Sequence, residues 1–158
     1  MTPAPTSQLR MCVMAPGEAA ALAGIWRRAW ASAHRDARVL EPIAHWLARV
    51  NAEFKPPAEL LVAEREDQLL AFTLLQPSRR YVAQLYVDPH LHGQGCGRQL
   101  LDEACRRMPG GWRLHVATVN RTAQNFYAHY GLQRGTVDRH PVTGRERLEY
   151  HWRPRDLP

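Results

Sequence analysis

A chain of 158 residues, 45% of them hydrophobic and five of them Trp, is long enough for one packed domain and has no uninterrupted apolar run of the about eighteen residues that a membrane span needs. Three cysteines, Cys12, Cys96 and Cys105, with no C-x-x-C pair argue against a disulfide framework and a zinc site, and fit a reducing cytoplasm. The net charge of +6 comes from scattered arginines, Lys55 being the only lysine. Basic and aromatic residues are not interleaved on one face, so nucleic acid is not indicated, whereas a phosphate-rich ligand suits such a surface.

Residues 1–8 lack the basic start and apolar centre of a leader peptide and read as a flexible arm; 154–158 read as a tail, which leaves 9–153 as a single domain. A first strand is expected over 9–14. After Pro16-Gly17-Glu18 a helix carries Leu22, Ile25, Trp26, Ala29 and Trp30 at helical spacing. A second helix, 41–51, has Pro42 in its first turn and Ile43, Trp46, Leu47 and Val50 on one face, before Pro56-Pro57 ends it. Two apolar runs, 60–64 and 69–75, flank Arg65-Glu66-Asp67-Gln68 as a hairpin would.

A strand over 81–87 leads into Pro89-His90-Leu91-His92-Gly93-Gln94-Gly95-Cys96-Gly97-Arg98, and a helix follows from 96 to 108, stopped by Pro109-Gly110-Gly111. Another strand covers 112–118. Asn120 caps a helix bearing Ala123, Phe126, Tyr127 and Tyr130, which Gly131 terminates, and strands over 133–140 and 145–152 complete the chain. This order predicts an α/β fold, a mixed sheet of about seven strands flanked by about four helices on both faces.

The glycine turn carries the most chemical information. An apolar strand breaks into glycines that hold no Cβ atoms against a ligand, then opens a helix whose first N–H groups and dipole favour an anion. The spacing is neither G-x-G-x-x-G nor a P-loop ending in Gly-Lys-Ser/Thr, which argues against NAD and ATP. His90, His92 and Cys96 could suggest a metal, but the glycines and the missing fourth ligand argue against one.

Two motifs in order along the chain resemble the GNAT N-acetyltransferase superfamily. His92-Gly93-Gln94-Gly95-Cys96-Gly97 is similar to its Arg/Gln-x-x-Gly-x-Gly/Ala pattern, with His in the first position. Asn120, Ala123, Phe126, Tyr127 and Gly131 match its Asn-x-x-Ala-x-x-Phe-Tyr-x-x-x-Gly-Phe pattern, with Leu132 for the final aromatic. The resemblance implies a mostly antiparallel sheet with splayed central strands and acetyl-coenzyme A as cosubstrate. Its pyrophosphate would rest on the backbone from Gly93 to Arg98, including Gln94, Gly95, Cys96 and Gly97. His92 supplies less charge than Arg while neutral, so backbone donors carry more of the binding.

The same resemblance places the pantetheine arm between the strand ending at Val87 and the strand starting at Trp112. The backbone of Leu85, Tyr86 and Val87 would hold it there, with Asn120 and Phe126 nearby. An amine acceptor attacks directly in a ternary complex, and Tyr127 hydrogen-bonds the departing sulfur as general acid. Pairing into a homodimer is common in the family. The base is open at this level: the strand offers uncharged Gln84, while His34 and Glu64 are alternatives that also read as structural or solvated. Reaching the neutral amine at pH 7 costs about 4.6 kcal/mol for a lysine and about 1.4 kcal/mol for an α-amine. With Gln84 and His92 departing from the pattern, a catalytically weak acyl-coenzyme A-binding regulator is the alternative.

Overall fold

The computed structural model describes residues 8–12 and 17–155. Seven strands form one sheet: β1 (Gln8–Cys12), β2 (Glu59–Arg65), β3 (Gln68–Gln76), β4 (Tyr81–Val87), β5 (Trp112–Ala117), β6 (Gln133–Arg139) and β7 (Glu146–Trp152). Their order across the sheet is β1-β2-β3-β4-β5-β7-β6, every neighbouring pair antiparallel except β4 and β5. Four helices complete it: α1 (Glu18–Ala33), α2 (Ile43–Glu53), α3 (Cys96–Arg107) and α4 (Arg121–Tyr130). Gln8, read from sequence as the end of the arm, is already in β1, and the expected strand residues 13 and 14 lie outside the described residues.

Each helix follows from its local chemistry. α1 starts after Gly17 and buries Leu22, Ala23, Ile25, Trp26 and Ala29, one stripe at helical spacing, while Glu18 sits in the turn where the dipole favours an acid. α2 starts at Ile43, two residues later than the sequence suggested, because Pro42 is extended and serves as the N-cap. Its buried stripe is narrower than expected, with Trp46 and Val50 inside and Ile43 half in solvent. Asn120 caps α4 by accepting the Ala123 N–H at 3.1 Å, and Gly131 closes it with the positive φ of 105° that favours glycine.

The sheet divides the interior into two cores. On one face α3 and α4 pack over Leu61, Ala71, Leu75, Val82, Leu114, Val116 and Leu148. On the other, α1 and α2 close an aromatic cluster about Trp26, whose ring lies 5.4 Å from both Trp46 and Phe54 and 6.1 Å from Phe72. Aromatic pairs of this kind contribute about 0.5–1.5 kcal/mol beyond area burial, so Trp26 anchors both early helices to β3. No described helix is long and apolar enough to cross a membrane.

Candidate active site

The parallel pair at the centre of the sheet is joined only at its start. Tyr81 stands opposite Arg113, the Arg113 N–H donates to the Arg80 carbonyl at 3.0 Å, and no further rung of register joins the two strands. Beyond this point β4 and β5 part, with backbone groups on their inner edges left to face the gap.

The ladder between β3 and β4 shows which groups those are. Asp88 N–H donates to the Leu70 carbonyl at 2.9 Å, and an antiparallel ladder alternates bonded and non-bonded pairs. Tyr86 therefore bonds toward β3 through Phe72, while the N–H and C=O of Leu85 and Val87 point to the gap. Of the three backbone holders expected from sequence, Leu85 and Val87 present polar groups there; Tyr86 offers its side chain, packed in the aromatic core.

At the open end of β4 a single 3-10 turn, Pro89–Leu91, is capped by Asp88 and leads into the glycine turn. Gly93 and Gly95 have φ of 81° and 87°, and a Cβ on either would point into open space. The turn is thus an uncrowded concave backbone at the N-terminus of α3, which suits a phosphate anion. His92, Gly93, Gln94 and Gly95 are exposed there. Cys96 is only 1% exposed, a small side chain tucked under the turn. Gly97 is small for a different reason: a Cβ there would lie 3.0 Å from the Phe126 ring. Phe126 thereby backs the helix N-terminus by packing, which links the two sequence motifs physically. The Arg98 guanidinium lies over Tyr130, 5.4 Å from its ring centre.

Two contacts at the turn had no local sequence signal. Arg65, at the end of β2, reaches Gln94 Oε1 at 3.3 and 3.4 Å, bringing a guanidinium beside the turn whose first position is His92. Asp88 is held by Arg28 of α1 at 2.7 Å, which ties the turn to the opposite layer. Arg65 and Arg28 lie 29 and 60 residues from their partners, so no motif window contains both members.

Tyr127 lies on α4, 6% exposed, with its ring 5.7 Å from that of Tyr150 on β7. Burial pushes its hydroxyl well above the ordinary tyrosine range, and Tyr86 adds to the rise. The two phenols pack in different cores, Tyr127 in the cluster under α3 and α4 and Tyr86 against the aromatic cluster of α1 and α2. Gln124 fixes the approach of α4, its amide donating to the carbonyls of Ala117 at 3.2 Å and Thr118 at 2.8 Å.

The alternatives for a base are dispersed. His34 stacks on Trp30 at 4.2 Å, and its Nδ1 is 2.9 Å from the Trp30 carbonyl, to which it donates. Burial holds its pKa below the ordinary imidazole value, and Arg145, lying over the same Trp30, acts in that direction too. Glu64 is on β2, two strands from β4. Gln84 pairs with Leu74 and so shares the α1 and α2 face.

Known proteins share this fold. A profile of the acetyltransferase (GNAT) domain matches residues 56–134, from before β2 to the start of β6. The peptidyl-lysine N-acetyltransferase YjaB of Salmonella typhimurium is 30% identical over 137 residues, 86% of this chain and 86% of its own. The solution structure of apo-form YjaB from Escherichia coli superposes with a TM-score of 0.74 at 26% identity, covering 92% of this chain and 97% of that one. The structure of yncA from Salmonella typhimurium with acetyl-CoA shares the fold, with a TM-score of 0.66 at 18% identity over 96% of each chain.

Proposed function

The chain belongs to the GNAT acetyltransferase family, and from that premise we propose that it transfers acetyl from acetyl-coenzyme A to a primary amine by direct attack in a ternary complex. The observation that carries the proposal is a set of three features: an open glycine turn at the start of α3, backbone at Leu85 and Val87 that the ladder to β3 leaves free, and Tyr127 buried on α4 against Tyr150 of β7. A long ligand with a phosphate end and a thioester end fits that sequence of environments.

Each part has a defined role. Backbone N–H groups from Gly93 to Arg98 hold the pyrophosphate. Leu85 and Val87 hold the pantetheine amides, and an N–H directed into the gap polarises the thioester carbonyl, where a donor gains strength as charge develops on oxygen. The Asn120 carboxamide oxygen is committed to the helix cap, so its NH2 is the half that donates to the pantetheine. Tyr127 hydrogen-bonds the leaving sulfur. A thiol loses its proton near pH 8.5 and Tyr127 is pushed above 10, so complete transfer of the phenolic proton is uphill by more than about 2 kcal/mol. The role of Tyr127 is therefore to share its proton with the sulfur, and the thiolate is finally protonated from solvent.

The acceptor class proposed is a lysine side chain of a peptide or a small primary amine. Supporting this, the Salmonella typhimurium relative bears the name peptidyl-lysine N-acetyltransferase. Cys96 and Cys105 are free thiols, in keeping with a proposed site of action in the reducing cytoplasm. Thiol release from acetyl-coenzyme A is the test, measured over lysine peptides, peptide N-termini, polyamines and aminoglycosides. Acceptor-dependent release supports the proposal; release at the background rate with every amine contradicts it.

A further inference from the structure

The sheet face opposite α3 and α4 carries a polar cluster that no motif announces. Along β5, Trp112, Leu114 and Val116 point into the core, so Arg113 and His115 project from the other face. There the Tyr81 hydroxyl lies 2.7 Å from His115 Nδ1, bridging β4 and β5 just where they part. Nε2 of the same ring faces Glu149 of β7 at 3.8 Å, an ion-pair distance, and Glu149 is the direct cross-strand partner of His115. Gly135 on β6 leaves room for this, since a Cβ there would come within 3.3 Å of the Glu149 side chain. With Nε2–H turned toward the carboxylate, Nδ1 accepts from the Tyr81 hydroxyl.

We infer that Tyr81, His115 and Glu149 form the relay that removes the proton from the acceptor amine; this rests on the transferase reading above. As the amine nitrogen bonds to the thioester carbonyl carbon, it gives up a proton to the Tyr81 oxygen, whose own proton moves to His115 Nδ1. The C–S bond breaks with its electron pair going to sulfur, and the imidazolium, stabilised by Glu149, returns its proton to solvent. Tyr81 is the catalytic member that meets the amine, and His115 and Glu149 act through it.

The surroundings keep the ring ready to accept. Burial, then Arg147, holds its pKa below the ordinary imidazole value, Asp138 and Glu149 oppose this, and Arg113 adds to it. Glu149 also faces Arg113 at 3.6 Å, through the same oxygen that faces His115, and His151 at 4.0 Å, while Arg79 and Arg113 each lie over the Tyr81 ring at 5.5 Å. His115 is therefore neutral at pH 7, and a carboxylate stands by for the charge it gains. At His34 burial and Arg145 oppose protonation, while the bond to the Trp30 carbonyl and Asp36 favour it.

The test is the pH profile of kcat/KM for thiol release with acetyl-coenzyme A and a lysine peptide, in the unmodified protein and in His115→Gln, His34→Gln and Glu149→Gln. Besides the rise that the lysine amine itself gives up to about pH 10.4, the unmodified protein is expected to show an ascending limb with its midpoint below pH about 6.5. His115→Gln removes that limb and lowers kcat/KM about 100-fold, with unchanged acetyl-coenzyme A affinity. Glu149→Gln moves the limb to lower pH, because the imidazolium loses its carboxylate. The limb below pH about 6.5 retained in His115→Gln, or lost in His34→Gln, overturns the relay while leaving the transferase reading intact. Should His115→Gln fail to fold by circular dichroism, the position of the Glu149→Gln limb decides, and an unmoved limb overturns the relay. No thiol release by the unmodified protein with any amine overturns both readings, a failure visible before any variant is made.

Discussion

The two ends of the central gap are built by different means. At the glycine turn the proposed contacts come from backbone: N–H groups of one contiguous segment, at a helix start, with side chains mainly kept away. On the sheet face opposite α3 and α4 the proposed relay is made of side chains brought from β4, β5 and β7, with Tyr81, His115 and Glu149 drawn from positions 34 residues apart and more. A backbone site must leave its trace in local spacing, because only certain residues permit the conformation. A side-chain site assembled by the sheet leaves no such trace.

Substitution separates the two ends. The largest effect is expected for Gly95→Val, which places a branched side chain at φ 87° and in the path of the phosphate: acetyl-coenzyme A affinity falls about 100-fold by calorimetry, since strain alone is worth about 1–2 kcal/mol. An affinity within a factor of two of the parent would show that the turn is not the anion site. Next in size is Tyr127→Phe. It removes one hydroxyl from a buried site, so turnover drops about tenfold or more while cofactor affinity stays near that of the parent, and equal turnover would take Tyr127 out of the reaction. The smallest effect is Asn120→Ala, where loss of the cap costs about 1 kcal/mol in denaturant unfolding. A weakening of acetyl-coenzyme A binding beyond that loss of fold would support the second role proposed for its NH2 group.

The contrast also explains how much was legible in the sequence. β4 was read with both its limits, Tyr81 and Val87, because alternation and the turn behind it bound it on either side. α4 was read to its caps because Asn120 and Gly131 are local signals. The glycine turn followed for the same reason. What spacing did not carry was the division of labour along β4: the alternation that turns Leu85 and Val87 to the gap and Tyr86 to β3 depends on the register with β3, set by residues more than ten positions away. Pro42 was placed inside α2 because proline is favoured in a first turn, yet its extended backbone makes it the cap. Phe126 was expected at the ligand through its motif, and its observed contact is with Gly97, a relation that appears only once α3 and α4 are packed. Arg65, Arg28 and His115 were not singled out at all, since each acquires its partner through strand order or layer packing.

Calorimetric titration of the unmodified protein with acetyl-coenzyme A tests the central claim most directly. The account predicts saturable binding with one ligand per chain, weakened in Gly95→Val and preserved in Tyr127→Phe. Absence of binding at millimolar acetyl-coenzyme A would contradict it.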